Sequence, residues 1–377
     1  MKRQRILFDE GPIAGGTEFS DPVRLIRADE PREVPAALCE LSSATAHGHW
    51  LAGFASYELG YVLTPRLAPL LPDNRDTPLL LFGVYDTPKP ARRDSVRAGP
   101  VRFGPLEPGW SFQEYQRAFE RVKEYIAAGD IYQANLTFPM RLQAEGDAID
   151  LYAALREVQP VRHGALVELG GTTLLSRSPE MFFSTDGTGM IETRPMKGTV
   201  ARGATEAEDR ARHDWLAASE KNRAENLMIV DLLRNDISRV AEIGSVKVPE
   251  LFRIEQYATV YQMTSRVQGR LRPDVRLPDI FRALFPCGSV TGAPKIRATE
   301  IIREIEPEPR GVYCGSVGWV APDGAMSFNV AIRTLVLSQD GSIRFNVGGG
   351  VVHDSTAADE YEEALWKARF VTLAQTI

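Results

Sequence analysis

The sequence is short of the residues on which several common chemistries depend. Its 377 residues include three cysteines and five histidines. The cysteines have neither the spacing of a zinc cage nor that of a redox pair, and their odd number argues against a disulfide framework. The histidines show no metal-ligand spacing. Lysine, arginine, glutamate and aspartate are therefore the expected working groups of any enzyme built from this chain.

Long apolar runs and a large excess of one charge are also absent. No stretch approaches the roughly 20 apolar residues of a membrane-spanning helix, and the apolar run after the basic N-terminus is too short for a signal peptide. The 44 basic and 50 acidic residues give a net charge of −6, which provides no general attraction for nucleic acid or membranes. We expect a cytoplasmic protein with no nucleic-acid partner and no membrane partner.

Signatures of several cofactor and hydrolase families are missing. The segment 288–295, GSVTGAPK, resembles a phosphate-binding loop but lacks the spacing of that motif. No G-x-G-x-x-G follows a predicted strand, and neither H-E-x-x-H nor G-x-S-x-G occurs. Dinucleotide binding, nucleotide hydrolysis, zinc proteolysis and esterase chemistry are thereby disfavoured.

A change of composition divides the chain. Residues 86–109 are rich in proline, glycine and arginine without hydrophobic periodicity, which is typical of a linker. We predict an N-terminal α+β segment over residues 1–85 and a longer domain over residues 110–377. Helical spacing of apolar residues predicts helices over 111–128, with Ser111 as the N-cap, over 214–240 with a break, and over 356–374.

Asp-Gly pairs at 186–187, 323–324 and 340–341 indicate turns between β-strands. The last two pairs separate three predicted strands, and the middle one runs without interruption over residues 325–338. Strand meanders mixed with separate helices, rather than regular βαβ alternation, predict an α+β fold with mostly antiparallel sheets.

Register counting brings an acid and an amine together. A two-residue turn at Asp186-Gly187 places Glu180 opposite Thr193, with Lys197 just beyond the same open end of the hairpin. By spacing alone, Lys197 is equally compatible with an ordinary turn lysine.

The same counting predicts a site for an anion. It places Arg333 beside Tyr313 and Cys314 on one side and beside Gly348 on the other. An arginine next to the bare backbone of 348–350 is a candidate floor for a carboxylate. The alternative is an arginine on the solvated face of its sheet.

Two helices contribute carboxylates. Glu225 shares a helix face with apolar residues and is expected to point partly inward. Glu363 and Lys367 stand one helical turn apart, which by spacing alone also fits a solvated ion pair. Two helix carboxylates of this kind would suit a shared Mg²⁺ ion.

Eight motifs occur in an order that resembles the chorismate-utilising enzymes, which include the anthranilate, aminodeoxychorismate, isochorismate and salicylate synthases. The resemblance covers most of residues 110–377 and is weaker before the linker. It implies the fold of anthranilate synthase component I, with antiparallel sheets packed as a sandwich and helices around them, and a chorismate-binding catalytic domain over 110–377. The motifs are GDIYQANLT (129–137), SPEMFF (178–183), TRPMKGT (193–199), AENLMIVDLLRND (224–236), GSVTGAPKIRA (288–298), YCGSVG (313–318), NVAIRT (329–334) and EYEEALWKAR (360–369).

Two positions favour one branch of this family. Isochorismate and salicylate synthases carry a lysine at the position of Gln133, which argues against them. Anthranilate synthases usually have Pro-x-Ala-Gly-Thr where this chain has Pro195-Met-Lys-Gly-Thr199, and a lysine there is similar to the aminodeoxychorismate synthases of the 4-aminobenzoate branch of folate biosynthesis. The resemblance thus implies conversion of chorismate and ammonia to 4-amino-4-deoxychorismate. Anthranilate synthase component I and a non-catalytic chorismate-binding paralogue are the alternatives.

The resemblance also implies roles for individual residues. Lys197 would add covalently to the substrate ring, Glu180 would protonate the departing hydroxyl, and Glu225 and Glu363 would hold Mg²⁺. The residues expected to bind the substrate are Arg333, Tyr313, Lys367, Gln262, Gly288, Ser289, Thr291, Gly315, Gly349 and Gly350.

No glutaminase triad is visible in this chain. Cys39 lies in ALCELSS and lacks the glycine-flanked turn of a nucleophile. Ammonia would then come from solution or from a separate glutaminase, and the resemblance implies the second, a glutamine amidotransferase subunit.

Overall fold

The computed structural model describes residues 4–91, 99–257 and 260–375 of the chain. In these ranges the α-helices α1 to α9 are Val34–Ala46, Leu59–Leu63, Phe112–Ala127, Ala148–Val158, Glu206–Ala218, Glu220–Ser238, Leu277–Leu284, Lys295–Ile305 and Ala357–Ala374. The strands β1 to β21 are Arg5–Phe8, Thr17–Ser20, Arg24–Ala28, Trp50–Ala55, Leu80–Tyr85, Lys89–Pro90, Arg102–Phe103, Glu107–Pro108, Gln133–Glu145, His163–Leu169, Thr172–Ser178, Met181–Asp186, Met190–Thr193, Met196–Ala201, Lys247–Gln256, Val260–Arg270, Gly292–Ala293, Ser316–Val320, Ala325–Asn329, Thr334–Leu337 and Ser342–Val351.

The strands form two large antiparallel sheets. One has the order β17-β9-β21-β20-β11-β10-β1-β2-β6, and β7 and β8 also pair with β9. The other has the order β14-β16-β13-β12-β19-β18-β4-β5-β3, and β15 also pairs with β16. The predicted α+β class with mostly antiparallel sheets is confirmed.

The two sheets pack face to face, and helices cover their outer faces. A buried cluster from β1, β2, β10 and β11 of one sheet and β4, β5 and β18 of the other fills the space between them. A second cluster joins β9 and β21 to α3, α4, α8 and α9. A third joins the other sheet to α1, α6 and α7. The result is the predicted sandwich with surrounding helices.

Residues before the predicted linker belong to both sheets. β1 pairs with β10, and β4 pairs with β18. In each sheet, strands from the segment 1–85 therefore pair with strands that come after residue 110. Within the predicted linker 86–109, the strands β6, β7 and β8 are short additions to the first sheet or its strand β9, and residues 92–98 lie outside the described ranges.

Local sequence signals account for the helix ends. The Ser111 hydroxyl accepts from the Glu114 amide, and the Glu114 carboxylate accepts from the Ser111 amide, which closes a capping box at the start of α3. Thr356 caps α9 in the same position. The predicted break in the 214–240 helix is also present: Ser219 ends α5 and caps α6. The predicted cap at Ser111, the final helix and the break are confirmed, whereas the predicted start at 214 is wrong because α5 begins at Glu206.

The hairpin register around Asp186-Gly187 differs from the prediction. Thr185 pairs with Ile191, and the Thr193 hydroxyl donates to the carbonyl of Phe182, so Thr193 does not lie opposite Glu180. The cause is a longer turn. The Asp186 carboxylate accepts from the amides of Thr188 and Met190, which adds residues to the loop and shifts the pairing.

The single strand predicted over 325–338 is wrong. β19 ends at Asn329 in one sheet, and β20 begins at Thr334 in the other. Between them Arg333 has a φ of 49°, a left-handed conformation that interrupts a strand. The chain crosses between the two sheets at this point.

Among the described helices, none combines the length and the apolar character needed to cross a membrane.

Candidate active site

Two crossings of the chain between the sheets lie side by side. Glu180 follows β11 of the first sheet and precedes β12 of the second, while 330–333 connect β19 to β20. The Val330 amide donates to the Glu180 carbonyl at 3.0 Å, and the Arg177 amide donates to the Arg333 carbonyl at 2.9 Å. An acid and an arginine that are far apart in sequence are thus attached to one rigid region.

Glu180 is a buried acid with one hydroxyl donor. It is 6% exposed, and the Ser289 hydroxyl donates to its Oε1 at 2.7 Å. Burial raises the pKa of Glu180 to about 7, although the Ser289 hydrogen bond and the charge of Lys197 act in the opposite direction. A carboxyl group with this pKa is able to hold and release a proton near neutral pH.

Lys197 lies in strand β14, at an irregularity of the sheet. The pairing of β14 with β16 shifts between Met196 and Thr199, which leaves Lys197 within the bulge. The next residue, Gly198, has a φ of 81°, and a Cβ there would lie 2.9 Å from the Asn222 side chain of α6. Lys197 makes no hydrogen bond or ion pair with a described side chain, and its charge acts on both Glu180 and Glu363.

Glu363, on helix α9, is influenced by the positive charges of several lysines. Lys367 Nζ lies 2.8 Å from Glu363 Oε1 and donates to the Gly348 carbonyl at 2.8 Å. Burial alone would raise the pKa of Glu363. The ammonium groups reverse that effect and lower the pKa, with Lys367 acting most strongly and then Lys197 and Lys221. Glu363 is therefore an exposed carboxylate that pairs with Lys367 and is stabilised by the more distant charges of Lys197 and Lys221.

The carboxylates on α6 and α9 fit a divalent cation that prefers oxygen ligands. Glu225 is half-buried and has no hydrogen-bond or ion-pair partner among the described residues. Lys221 lies one turn before it on α6, and the charge of Lys221 acts on both Glu360 and Glu363 of α9. Within the described ranges no group of three or more acidic, histidine or cysteine side chains encloses a metal position. Mg²⁺ tolerates such a site because it commonly takes one or two carboxylates and completes its shell with water or substrate.

Arg333 is a cation without a carboxylate partner. Its guanidinium has no hydrogen bond or ion pair with any described side chain, and burial lowers its pKa from the ordinary value. Arginine nevertheless stays protonated, and a desolvated guanidinium favours an anion with which to pair. Tyr313 precedes Cys314, whose amide donates to the carbonyl of Ala331, two residues before Arg333. Tyr313 is buried, and burial raises the pKa of its phenol well above the ordinary value, so the phenol stays a neutral donor.

Replacing Arg333 by methionine tests whether the guanidinium is held for an anion. The free energy of unfolding is expected to stay the same or rise, because an unpaired, desolvated charge is removed. The KM for an anionic substrate should rise by about 10- to 100-fold, the range expected for a lost charge-assisted contact. Arg344→Met is the matched control, since Arg344 has its own partners Asp76 and Glu308. A destabilised Arg333→Met with an unchanged KM would contradict this role.

The other residues predicted to bind a substrate fall into two groups. Some are close to the charged groups: a Cβ at Gly349 would lie 2.8 Å from Glu360 Oε2 and 3.5 Å from Lys367 Nζ, and one at Gly350 would meet Gln133 at 2.9 Å. Gln262 faces Thr199 across β14 and β16, with its amide 3.4 Å from the Thr199 hydroxyl.

The second group already has partners within the protein. The Thr291 hydroxyl donates to the Cys287 carbonyl at 2.6 Å, and a Cβ at Gly288 would meet Leu232. The Gly315 amide donates to the Val312 carbonyl at 2.9 Å, and its α-carbon packs against the backbone of Ala55. In this conformation these residues shape the site, and the Gly315 amide is already engaged.

Sequence reasoning missed two charged residues at the site, Lys221 and Glu360. The charge of Lys221 acts on Glu363, and the charge of Glu363 acts on Glu360. Burial raises the pKa of Glu360, whose Oε1 accepts from the Ser355 hydroxyl at 2.7 Å. Helical spacing is a signal that would have found them, because Lys221 precedes Glu225 by four residues and Glu360 precedes Glu363 by three.

Comparisons with known proteins identify a family to which the chain is similar. A family model described as chorismate binding enzyme matches residues 9–373. The chain is 46% identical to an aminodeoxychorismate synthase from Streptomyces pristinaespiralis, over 70% of this chain and 36% of that protein. It is 44% identical to aminodeoxychorismate synthase component 1 from Klebsiella aerogenes, over 68% of this chain and 56% of that one.

Anthranilate synthases are also similar. Component 1 from Pseudomonas putida is 41% identical over 77% of this chain and 59% of its own length. The crystal structure of component I from Streptococcus pneumoniae superposes with a TM-score of 0.80 at 25% identity, covering 99% of this chain and 93% of that one. The chain thus spans between about a third and three fifths of the curated relatives it matches, and nearly all of the solved structure.

Proposed function

This chain belongs to the chorismate-binding enzyme family, and from that premise we propose that it acts as an aminodeoxychorismate synthase component I. In this proposal it converts chorismate and ammonia to 4-amino-4-deoxychorismate, the precursor of 4-aminobenzoate on the way to folate. The observation that carries the proposal is Lys197, an amine in a strand bulge that has no hydrogen-bond or ion-pair partner among the described side chains and whose charge acts on the buried acid Glu180. The relatives at 44–46% identity carry the same activity in their names.

A lysine and a neutral acid suit the substitution of one group at a ring carbon. The amine of Lys197, after it has given up a proton, forms a bond to ring C2 as the double bonds shift and the C4–O bond breaks. Glu180 supplies the proton with which the hydroxyl leaves as water. Ammonia then forms a bond at C4, and the bond between Lys197 and C2 breaks. Two successive displacements explain how nitrogen replaces oxygen at C4 with retained stereochemistry.

The remaining residues have binding roles in this proposal. Arg333 and Tyr313 hold one substrate carboxylate, since a guanidinium without a partner and a neutral phenol are suitable donors. Gln262 donates to the departing hydroxyl, and Lys367 lies beside the ring carboxylate. Glu225 and Glu363 would hold Mg²⁺, which when bound supplies positive charge that fixes and polarises the ring carboxylate.

Ammonia requires a source outside the described residues. Relatives named as component 1 imply a second subunit, and we propose that a glutamine amidotransferase supplies ammonia here. We retain the expectation of a cytoplasmic location as part of this proposal.

Anthranilate synthase component I is the second candidate, supported by the similarity to proteins of that name. In that reaction the last bond to break is the one that releases pyruvate, and the other product is 2-aminobenzoate. Lys197 distinguishes the two, since attack by a tethered amine at C2 prevents ammonia from entering at that carbon.

Product analysis separates these candidates. Chorismate, Mg²⁺ and ammonium are incubated with the protein, and the product is identified by mass spectrometry and chromatography. We expect 4-amino-4-deoxychorismate. Anthranilate with pyruvate would refute the preferred activity, and chorismate binding without turnover would indicate a binding paralogue.

A further inference from the structure

A buried arginine, Arg310, contacts the loop that carries Ser289, here called the catalytic loop. Arg310 is 3% exposed. Its Nη1 donates to the Val290 carbonyl at 3.0 Å, and its Nη2 donates to the Asn135 carbonyl at 2.6 Å. Val290 directly follows Ser289, so one guanidinium ties the catalytic loop to strand β9.

Arg310 is itself held by two other parts of the chain. Its Nε and Nη2 donate to the two carboxylate oxygens of Glu306 at 2.8 and 2.7 Å, a bidentate geometry that orients the planar group. The Tyr57 ring lies 4.6 Å from the guanidinium carbon. Glu58 Oε1 accepts from the amides of Arg310 and Gly311 at 2.8 and 3.2 Å. Tyr57 and Glu58 precede the predicted linker, so the N-terminal segment supports the catalytic loop through this arginine.

The far end of the same loop is fixed by a second buried cation. Lys295, the first residue of α8, donates to Asp236 Oδ2 at 2.5 Å and to the Leu284 carbonyl at 2.7 Å. This ion pair restrains where the loop begins and ends. The centre of the loop is also held by its own backbone hydrogen bonds and by the Asn135 amide, which donates to the Thr291 carbonyl at 2.8 Å. Among the described side chains, Arg310 is the one that donates to the carbonyl of Val290, the residue next to Ser289.

We propose that Arg310 is a positioning residue for the catalytic acid: by holding Val290, it keeps the Ser289 hydroxyl where it donates to Glu180 Oε1. This inference deepens the proposed function, since it concerns the acid of the same site. The groups that face Glu180 are the Ser289 hydroxyl and the ammonium of Lys197, with the Cys287 thiol 3.2 Å from Ser289 Oγ. Of these, the Ser289 donor is the one whose position Arg310 controls.

Arg310→Lys removes this control while keeping a positive charge beside Glu306. A single ammonium group lacks the fork that reaches the carbonyls of Val290 and Asn135 together. Loss of the Ser289 donor removes an interaction that lowers the pKa of Glu180. The titration midpoint of Glu180 should therefore move upward by about one pH unit, the size expected when a carboxylate loses one hydroxyl donor.

The midpoint is measured by infrared difference spectroscopy of the carboxyl band, assigned by its loss in Glu180→Gln. Ser289→Ala should give the same upward shift, and Arg310→Lys should add nothing to it in the double variant. Arg141→Lys is the matched control, because Arg141 also donates to both carboxylate oxygens of a glutamate, Glu308, but at the surface of β9. The titration midpoint of Glu180 in this variant should equal that of the wild type.

An unchanged midpoint in Arg310→Lys, or shifts that add in the double variant, would overturn the inference. If Arg310→Lys does not fold, Glu306→Gln weakens the hold on the guanidinium more gently and should give a smaller shift in the same direction. No shift in that variant would overturn the inference equally. The spectroscopic readout needs no turnover, so a wild type without amination would reject the proposed function and leave this test intact.

Discussion

Replacing Lys197 by alanine is expected to reduce ammonia-dependent turnover of chorismate by at least about 10³-fold, because the nucleophile of the covalent route is removed. Lys197 has no hydrogen bond or ion pair with a described side chain, so its loss should leave the free energy of unfolding within about 0.5 kcal/mol of the wild type. Turnover is followed as product formation at saturating ammonium, and folding by thermal unfolding.

Lys247→Ala is the matched control for that experiment. Lys247 is an exposed lysine of β15, in the same sheet as Lys197. Its loss should change neither turnover nor stability. Activity of Lys197→Ala close to that of the wild type would show that no covalent lysine step takes place.

Glu180→Gln should lower turnover by about 10²- to 10⁴-fold, the usual contribution of a general acid. The pH dependence gives a sharper test. Burial raises the pKa of Glu180 to about 7, and the group must be protonated to act as an acid. Turnover of the wild type should therefore fall as pH rises through about 7, and this limb should be absent from the residual activity of Glu180→Gln.

The neutral amide keeps the shape of the side chain and still accepts from Ser289, so the variant should fold. A wild-type profile that is flat between pH 6 and 8, or a limb that persists in Glu180→Gln, would assign the acid role to another group. Glu192→Gln serves as control, because Glu192 is a half-buried acid of the neighbouring strand β13 that pairs with Arg194.

The helix ends were accessible from the sequence because their signals are local. Ser111 and Glu114 form their capping box within four residues, and Thr356 does the equivalent at α9. The antiparallel class was also predictable, since turn residues and strand meanders are local patterns. The sheet in which each strand lies was not, because it depends on contacts between distant segments.

The errors in register share that cause. The apolar alternation over 325–338 continues through Arg333 without a visible break, and only the packing of the two sheets reveals that β19 and β20 belong to different ones. The turn after β12 is lengthened by hydrogen bonds to Asp186, which a count from Asp-Gly does not include. Glu180 reaches the site through the crossing between the sheets, and its partner Ser289 is 109 residues away.

The prediction from spacing for Glu363 and Lys367 is confirmed, because they form an i,i+4 ion pair in which Glu363 is largely exposed. Spacing did not show that the charges of Lys197 and Lys221 also act on Glu363, because those residues lie on other elements. The buried contacts of Arg310 with Glu306, Val290 and Asn135 had no local signal of their own, because two of these partners lie 20 or more residues away in the chain.

Peptide mass spectrometry after rapid quenching is the most direct test of a covalent bond between Lys197 and the substrate. The protein is mixed with chorismate and Mg²⁺ without ammonia, quenched and digested. We expect the peptide containing Lys197 to gain the mass of chorismate less one water, and added ammonium to remove this modification as 4-amino-4-deoxychorismate forms. An unmodified Lys197 at every quench time, in protein that aminates chorismate once ammonium is added, would contradict this expectation.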